Sequence, residues 1–173
     1  VNPDGSGLRQ LTSDSTQSMQ ARWSPDGRRI VFSTGRRGQQ DIHVANADGG
    51  QLSRLTNNGP GERFFSSFSF DGQWIAFQVT PVVGEVRSEV YVMRSGGSAL
   101  RRVSDSTFAA EGPEWIPGTL QIAFRQVSYP KRRWSEMMPG ESVRASAADG
   151  DEVVNAGSRA TGPIGMCPAP ESR

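Results

Sequence analysis

Few side chains in this sequence have the chemistry to start a reaction, and their spacing speaks against it. His43 is the only histidine and Cys167 the only cysteine. A covalent route needs a nucleophile within hydrogen-bond reach of a base, and no Gly-x-Ser-x-Gly elbow or similar arrangement accompanies His43. In a strand, Asp41 and His43 share one face while Ile42 and Val44 take the other, so His43 reads as a packed or hydrogen-bonded residue. Asp4, Asp26, Asp48 and Asp71 are spread one per turn. A calcium loop needs several oxygen ligands converging within a short segment, so these aspartates read as turn formers and no metal is expected. One cysteine forms neither an internal disulfide nor a cysteine metal cluster. No phosphate-cradling or dinucleotide glycine motif occurs, and no cofactor is expected.

The remaining chemistry is recognition. Arg36, Arg37, Arg63 and Arg87 stand in segments between strands, and Tyr129, Lys131, Arg132, Arg133 and Trp134 crowd one long segment with Met137 and Met138. Arginine, tyrosine and tryptophan dominate binding hot spots. The plain alternative is a set of charged loops that keep the surface solvated. Nucleic acid is not expected: Glu62, Glu85, Glu111, Glu136 and Glu141 dilute the basic field, and the net charge of the 173 residues is +1.

The elements that would hold these loops repeat. Trp23, Ile30 and Phe32 recur at the same offsets as Phe68, Ile75 and Phe77, and again as Trp115, Ile122 and Phe124. A period of about 45 residues built from short apolar strands marks a repeat architecture. Ser24-Pro25-Asp26-Gly27 and Ser69-Phe70-Asp71-Gly72 supply one turn. Asn2-Pro3-Asp4-Gly5, Asn46-Ala47-Asp48-Gly49 and the weaker Ser95-Gly96-Gly97 supply a second. Proline presets φ, aspartate bonds local backbone and glycine accepts positive φ. Each repeat therefore reads as four strands: Ala21–Ser24, Arg29–Thr34, Asp41–Ala45 and Gln51–Thr56. These recur as Ser66–Ser69, Trp74–Val79, Glu89–Arg94 and Ala99–Ser104, then as Pro113–Ile116, Gln121–Gln126, Ser142–Ser146 and a weak Asp151–Val154. Helical periodicity is missing, which argues against a βαβ fold.

The phrases NPDGSGLRQLT, WSPDGRRIVFST and DIHVANADGGQLSRLT resemble the WD-repeat-like β-propeller repeats of the TolB family, over Val1–Val154. The expected fold is all-β, with antiparallel four-stranded blades. Residues 1–12 end a preceding blade (the end of its third strand, then its fourth), 13–56 and 57–104 form blades, 105–154 form a degenerate blade with a 127–141 loop, and 155–173 are a Gly/Pro-rich tail. Propellers close with about four to eight blades, so three should not close alone, and self-association through exposed blade edges is expected. Trp23, Phe32, Phe77, Trp115 and Phe124 should be buried between blades.

The resemblance implies a non-catalytic protein–protein interaction scaffold of the bacterial envelope, periplasmic, with a protein partner such as an envelope lipoprotein. It also admits a second reading: the gating propeller of a larger prolyl-oligopeptidase- or tricorn-type serine peptidase whose catalytic domain lies outside this sequence. Related repeats also occur in cytoplasmic proteins. No apolar run is long enough for a transmembrane helix, and no leader is read at Val1. Within a four-stranded blade the first-to-second and third-to-fourth turns emerge at one end, here stereotyped. The other connections emerge at the opposite end, vary in length, and carry the arginines and aromatics named above. Binding is expected at that second end.

Overall fold

A computed structural model describes residues 1–12, 17–57, 61–81, 87–127 and the backbone of 128 and 140–147. Among them there is no helix, and eleven strands form three antiparallel sheets. The first blade runs β1 (Gln17–Trp23), β2 (Arg29–Arg36), β3 (Gln39–Asn46) and β4 (Ser53–Arg54). The second runs β5 (Glu62–Phe68), β6 (Trp74–Thr80), β7 (Glu89–Arg94) and β8 (Arg101–Arg102). The third has β9 (Ala109–Trp115), β10 (Gln121–Ser128) and β11 (Gly140–Ala147). Strand order within each sheet follows the chain. The architecture is an open stack of propeller blades.

The turns form for the reasons their residues suggest. The buried Ser24 hydroxyl donates to Asp26 (2.6 Å) and accepts the Arg29 N–H (2.9 Å), while Asp26 accepts the Arg28 N–H. Ser69, Asp71, Gln73 and Trp74 repeat that network in the second blade. Gly27 and Gly72 stand at φ of 67° and 70°, where a Cβ is unfavourable. The hydrogen bonds from Ser24 and Arg28 hold the Asp26 carboxyl below its ordinary value of 3.8. Its contribution to stability is therefore present above pH 3.8 and is lost as pH falls through the lower folded-state value. Ser24→Ala leaves the Arg29 N–H without its side-chain acceptor in a half-buried place. It should cost about 1–2 kcal/mol in urea unfolding, as should Ser69→Ala, while an exposed control such as Ser53→Ala should leave the midpoint unchanged.

Packing between blades explains the repeated aromatics. Val31, Ile42 and Val44 of the first blade meet Phe68, Ile75, Phe77 and Met93 of the second. Ala76, Val90 and Val92 on the second blade's other side meet Ala110, Ile122 and Phe124 of the third, with Trp115 packed alongside. The Trp115 indole N–H donates to the Ser67 carbonyl at 3.1 Å. The second and third blades thus each present an aromatic leading face to the small, branched trailing face of the blade before it. Central strand β6 is covered on both sides, by the first blade and by the third, and so its apolar residues run nearly unbroken.

Several expectations are corrected. Trp23 is 61% exposed, because no described blade lies against its face, whereas Phe32, Phe77 and Phe124 are buried and Trp115 half-buried. Residues 1–12 contain no strand, since no described strand is available to pair with them. They keep the turn, however: the Gly5 N–H bonds the Asn2 carbonyl and the Asn2 N–H the Ser6 carbonyl, as Gly49 and Asn46 do one repeat later. The fourth strands shrink to two residues. The innermost strands begin earlier than expected. β10 and β11 pair as far as Ser128 and Gly140, so only 129–139 of the expected 127–141 loop is left as connection, and that stretch lies outside the described residues. So do the tail 155–173 with Cys167, and Asp151–Val154.

Candidate protein-binding face

The β2–β3 turn is the best-defined part of the variable end. Arg36 and Arg37 are exposed on it, flanked by Gly35 and Gly38. Gly35 has φ of 149°, and a Cβ there would sit 2.4 Å from the Gln39 carbonyl oxygen, so the turn admits no side chain at this point. Gly38 donates its N–H to Glu62 Oε1 (2.9 Å), and its carbonyl accepts the Gly61 N–H (3.1 Å). The turn of the first blade is therefore tied to the entry of the second. Two guanidinium groups sit on a braced support, which lowers the ordering cost of binding.

Arg63 does not join them. Its side chain is 3% exposed, with Nε 3.6 Å from Asp41 Oδ1 and Nη1 donating to the Gln40 and Gly61 carbonyls. Asp41 also accepts from Thr56 Oγ1 at 2.6 Å and pairs with Arg54. Arg63 thus fastens β5 to β3 inside the protein and is withdrawn from the candidate surface. Arg87 is half-buried and donates to the Ser106 and Thr107 carbonyls, bracing the loop ahead of β9. Tyr129, Lys131, Arg132, Arg133 and Trp134 lie outside the described residues.

His43 is half-buried and stacks on Phe32, with ring centroids 6.1 Å apart. Tyr91 stacks on Phe77 at 5.9 Å in the matching place. His43 Nδ1 lies 3.2 Å from the Asp41 carbonyl oxygen. The geometry is that of a packed ring. Among the described residues no group of three or more His, Cys, Asp or Glu residues is placed to hold a metal.

One regularity escaped the sequence reading. The innermost strands β1, β5 and β9 all carry a residue at positive φ three places before the aromatic anchor: Gln20 (56°), Phe65 (53°) and Gly112 (60°). Pairing with the next strand slips there in all three blades. A second set, Gly7, Gln51 and Ala99, leads into each fourth-strand segment at 66°, 51° and 53°. One glycine in each set was the available signal. Non-glycine residues in this region cost of order 1–3 kcal/mol and persist where the surroundings impose them. The Phe65 N–H, for instance, is held by Gln20 Oε1 at 2.8 Å, and the strained turn leaves the Phe65 ring half exposed.

Comparison with known proteins agrees with this architecture. The model of the TolB β-propeller domain matches residues 1–133. The chain belongs to the TolB β-propeller family. An uncharacterised protein of Agrobacterium fabrum strain C58 is 30% identical over 127 residues, covering 73% of this chain and 41% of that protein. A TolB structure from Agrobacterium tumefaciens is similar at 24% identity and a TM-score of 0.65, over 84% of this chain and 50% of that one. A prolyl endopeptidase shares the fold at 15% identity and a TM-score of 0.54, over 81% and 22%. The chain spans half or less of the length of each of these three. As a member of the TolB β-propeller family it keeps the repeat's stereotyped turns at one end, and the variation between its blades lies at the other.

Proposed function

We propose that this chain is part of a non-catalytic, extracytoplasmic interaction scaffold that binds a protein partner through the end carrying the β2–β3 turn. The observation behind this reading is the contrast between the two ends. At one end Ser24, Asp26, Ser69 and Asp71 spend their side chains on the turn's own backbone. At the other, Arg36 and Arg37 project from a braced turn toward solvent. Bidentate contacts to carboxylates are what such arginines supply, so the partner surface should be acidic there. Tyr129, Arg132 and Trp134 belong to the same end by sequence and extend the proposal. An envelope lipoprotein is the partner class that the family suggests.

Losing an anchor of this kind typically weakens binding about thirtyfold. The test is a pull-down from bacterial envelope extract with the wild-type chain, Arg36→Ala/Arg37→Ala, and Arg132→Ala/Trp134→Ala. Capture of one partner should be lost in both variants. Capture that survives both, yet fails in a folded variant altered at Asp48, would place binding at the opposite end.

The fold match to a prolyl endopeptidase favours a second reading, in which these blades gate a peptidase active site. An α/β-hydrolase domain encoded next to these repeats in the gene would decide for it.

A further inference from the structure

The β2–β3 turn that carries the two exposed arginines is fixed from the neighbouring blade more than by its own chemistry. Arg37 and Gly38 link the strands, and Arg36 pairs with Gln39 across the ladder. Two-residue hairpin turns that follow the twist of a sheet place their first linking residue at positive φ. Here only the second is there: Gly38 stands at 83°, and Arg37 lies outside the positive region. Such a turn splays its strands and needs outside support.

The second blade supplies it. The Gly38 N–H donates to Glu62 Oε1 at 2.9 Å, and the Gly38 carbonyl accepts the Gly61 N–H at 3.1 Å. Both backbone polar groups of Gly38 are thus held by the entry to β5. That entry is itself anchored. Gln39 and Gly61 form a parallel bridge, and Arg63 turns inward, with Nη1 donating to the Gln40 and Gly61 carbonyls. Glu62 reaches outward from this fixed base. The third blade has Ala109 in the register position of Glu62, so this brace belongs to the contact between the first two blades.

We infer, on the protein-binding reading above, that Glu62 is a positioning residue: from the second blade it sets the orientation in which Arg36 and Arg37 meet an acidic surface. Charge and position act in opposite directions here. Glu62 is a negative group bonded to the residue after Arg37, so by charge alone its removal should tighten binding of an acidic partner. As a brace, its removal should weaken binding, because the turn must then be ordered when the partner arrives. Glu62→Gln removes the charge and keeps an acceptor for the Gly38 N–H, whereas Glu62→Ala removes both.

The full 173-residue chain and its Glu62→Ala, Glu62→Gln and Arg36→Ala/Arg37→Ala variants are titrated with a fluorescent polyglutamate peptide. Amide hydrogen exchange at Gly38 is followed by NMR in the same proteins without peptide. Glu62→Ala should weaken peptide binding about tenfold and speed Gly38 exchange by a similar factor, the worth of one hydrogen bond to a charged group. Glu62→Gln should stay within about threefold of the wild type in both. Should Glu62→Ala fail to fold, Glu62→Ser replaces it. Peptide binding that Glu62→Ala leaves unchanged or tightens, while Arg36→Ala/Arg37→Ala abolishes it, overturns the role of Glu62 and leaves the binding reading standing. So does Gly38 exchange that Glu62→Ala does not change, or a Glu62→Gln variant as impaired as Glu62→Ala. A peptide that the wild-type chain does not bind, or that binds as well without Arg36 and Arg37, overturns the acidic-partner reading and the role of Glu62 with it.

Discussion

Asp41→Ala should be among the most damaging single changes in the chain, costing about 3–5 kcal/mol in urea unfolding. Asp41 is buried and gathers three partners: Arg63, Arg54 and the Thr56 hydroxyl. Thr56 in turn accepts the Ile42 N–H at 3.0 Å. Removing the carboxylate takes a charged partner from the Arg63 guanidinium, which is buried beside the Gln40 and Gly61 carbonyls, and the lost compensation of a buried charge is the main cost. The second blade supplies the control. Glu89 stands in the register position of Asp41 and pairs with Arg102 at 2.6 Å, but the two side chains are 26% and 40% exposed. Ala110 occupies the place of Arg63 there, so no buried charge is left behind. Glu89→Ala should cost under about 1 kcal/mol. Replacing Asp41 and Arg63 together with leucine and methionine should recover most of the loss. If Asp41→Ala and Glu89→Ala shift the midpoint equally, the burial argument fails.

Phe77→Ala should cost about 3–5 kcal/mol, by loss of transfer energy and by the cavity left behind. The ring is 1% exposed at the centre of the contact between the first two blades and stacks on Tyr91. Trp23→Ala, although it removes a larger side chain from the same kind of face, should cost under about 1 kcal/mol at concentrations where the chain is monomeric, since it forfeits little buried area. Urea midpoints of the two variants, measured at low micromolar concentration, test this. Equal losses would mean that Trp23 is buried in solution.

That pair of residues shows where sequence reading stops. Trp23 and Phe77 belong to the same repeated pattern, and period, strand type and turn residues all predicted the same packing for both. The pattern identifies which face of a strand is apolar. Whether that face is covered depends on a second blade being present to cover it, which is a tertiary matter. Arg63 shows the converse. By position it falls at a strand entry among charged loop residues, and nothing local distinguishes it from Arg36 or Arg37. Only the approach of β5 to β3 brings it within reach of Asp41 and draws it inside.

The sequence by itself determined the four strands of the first two blades, the Asp-Gly turns, the register of Ile30, Ile75 and Ile122, the packed role of His43 and the propeller family. All of these rest on interactions within about six residues or on a repeat that prints itself several times. The tertiary structure decided the slipped register at Gln20 and Phe65, the withdrawal of Arg63 and the exposure of Trp23. Each is settled by a partner 22 to 45 residues away, or by the lack of a covering blade among the described residues, and contacts at that distance leave no mark in local residue types.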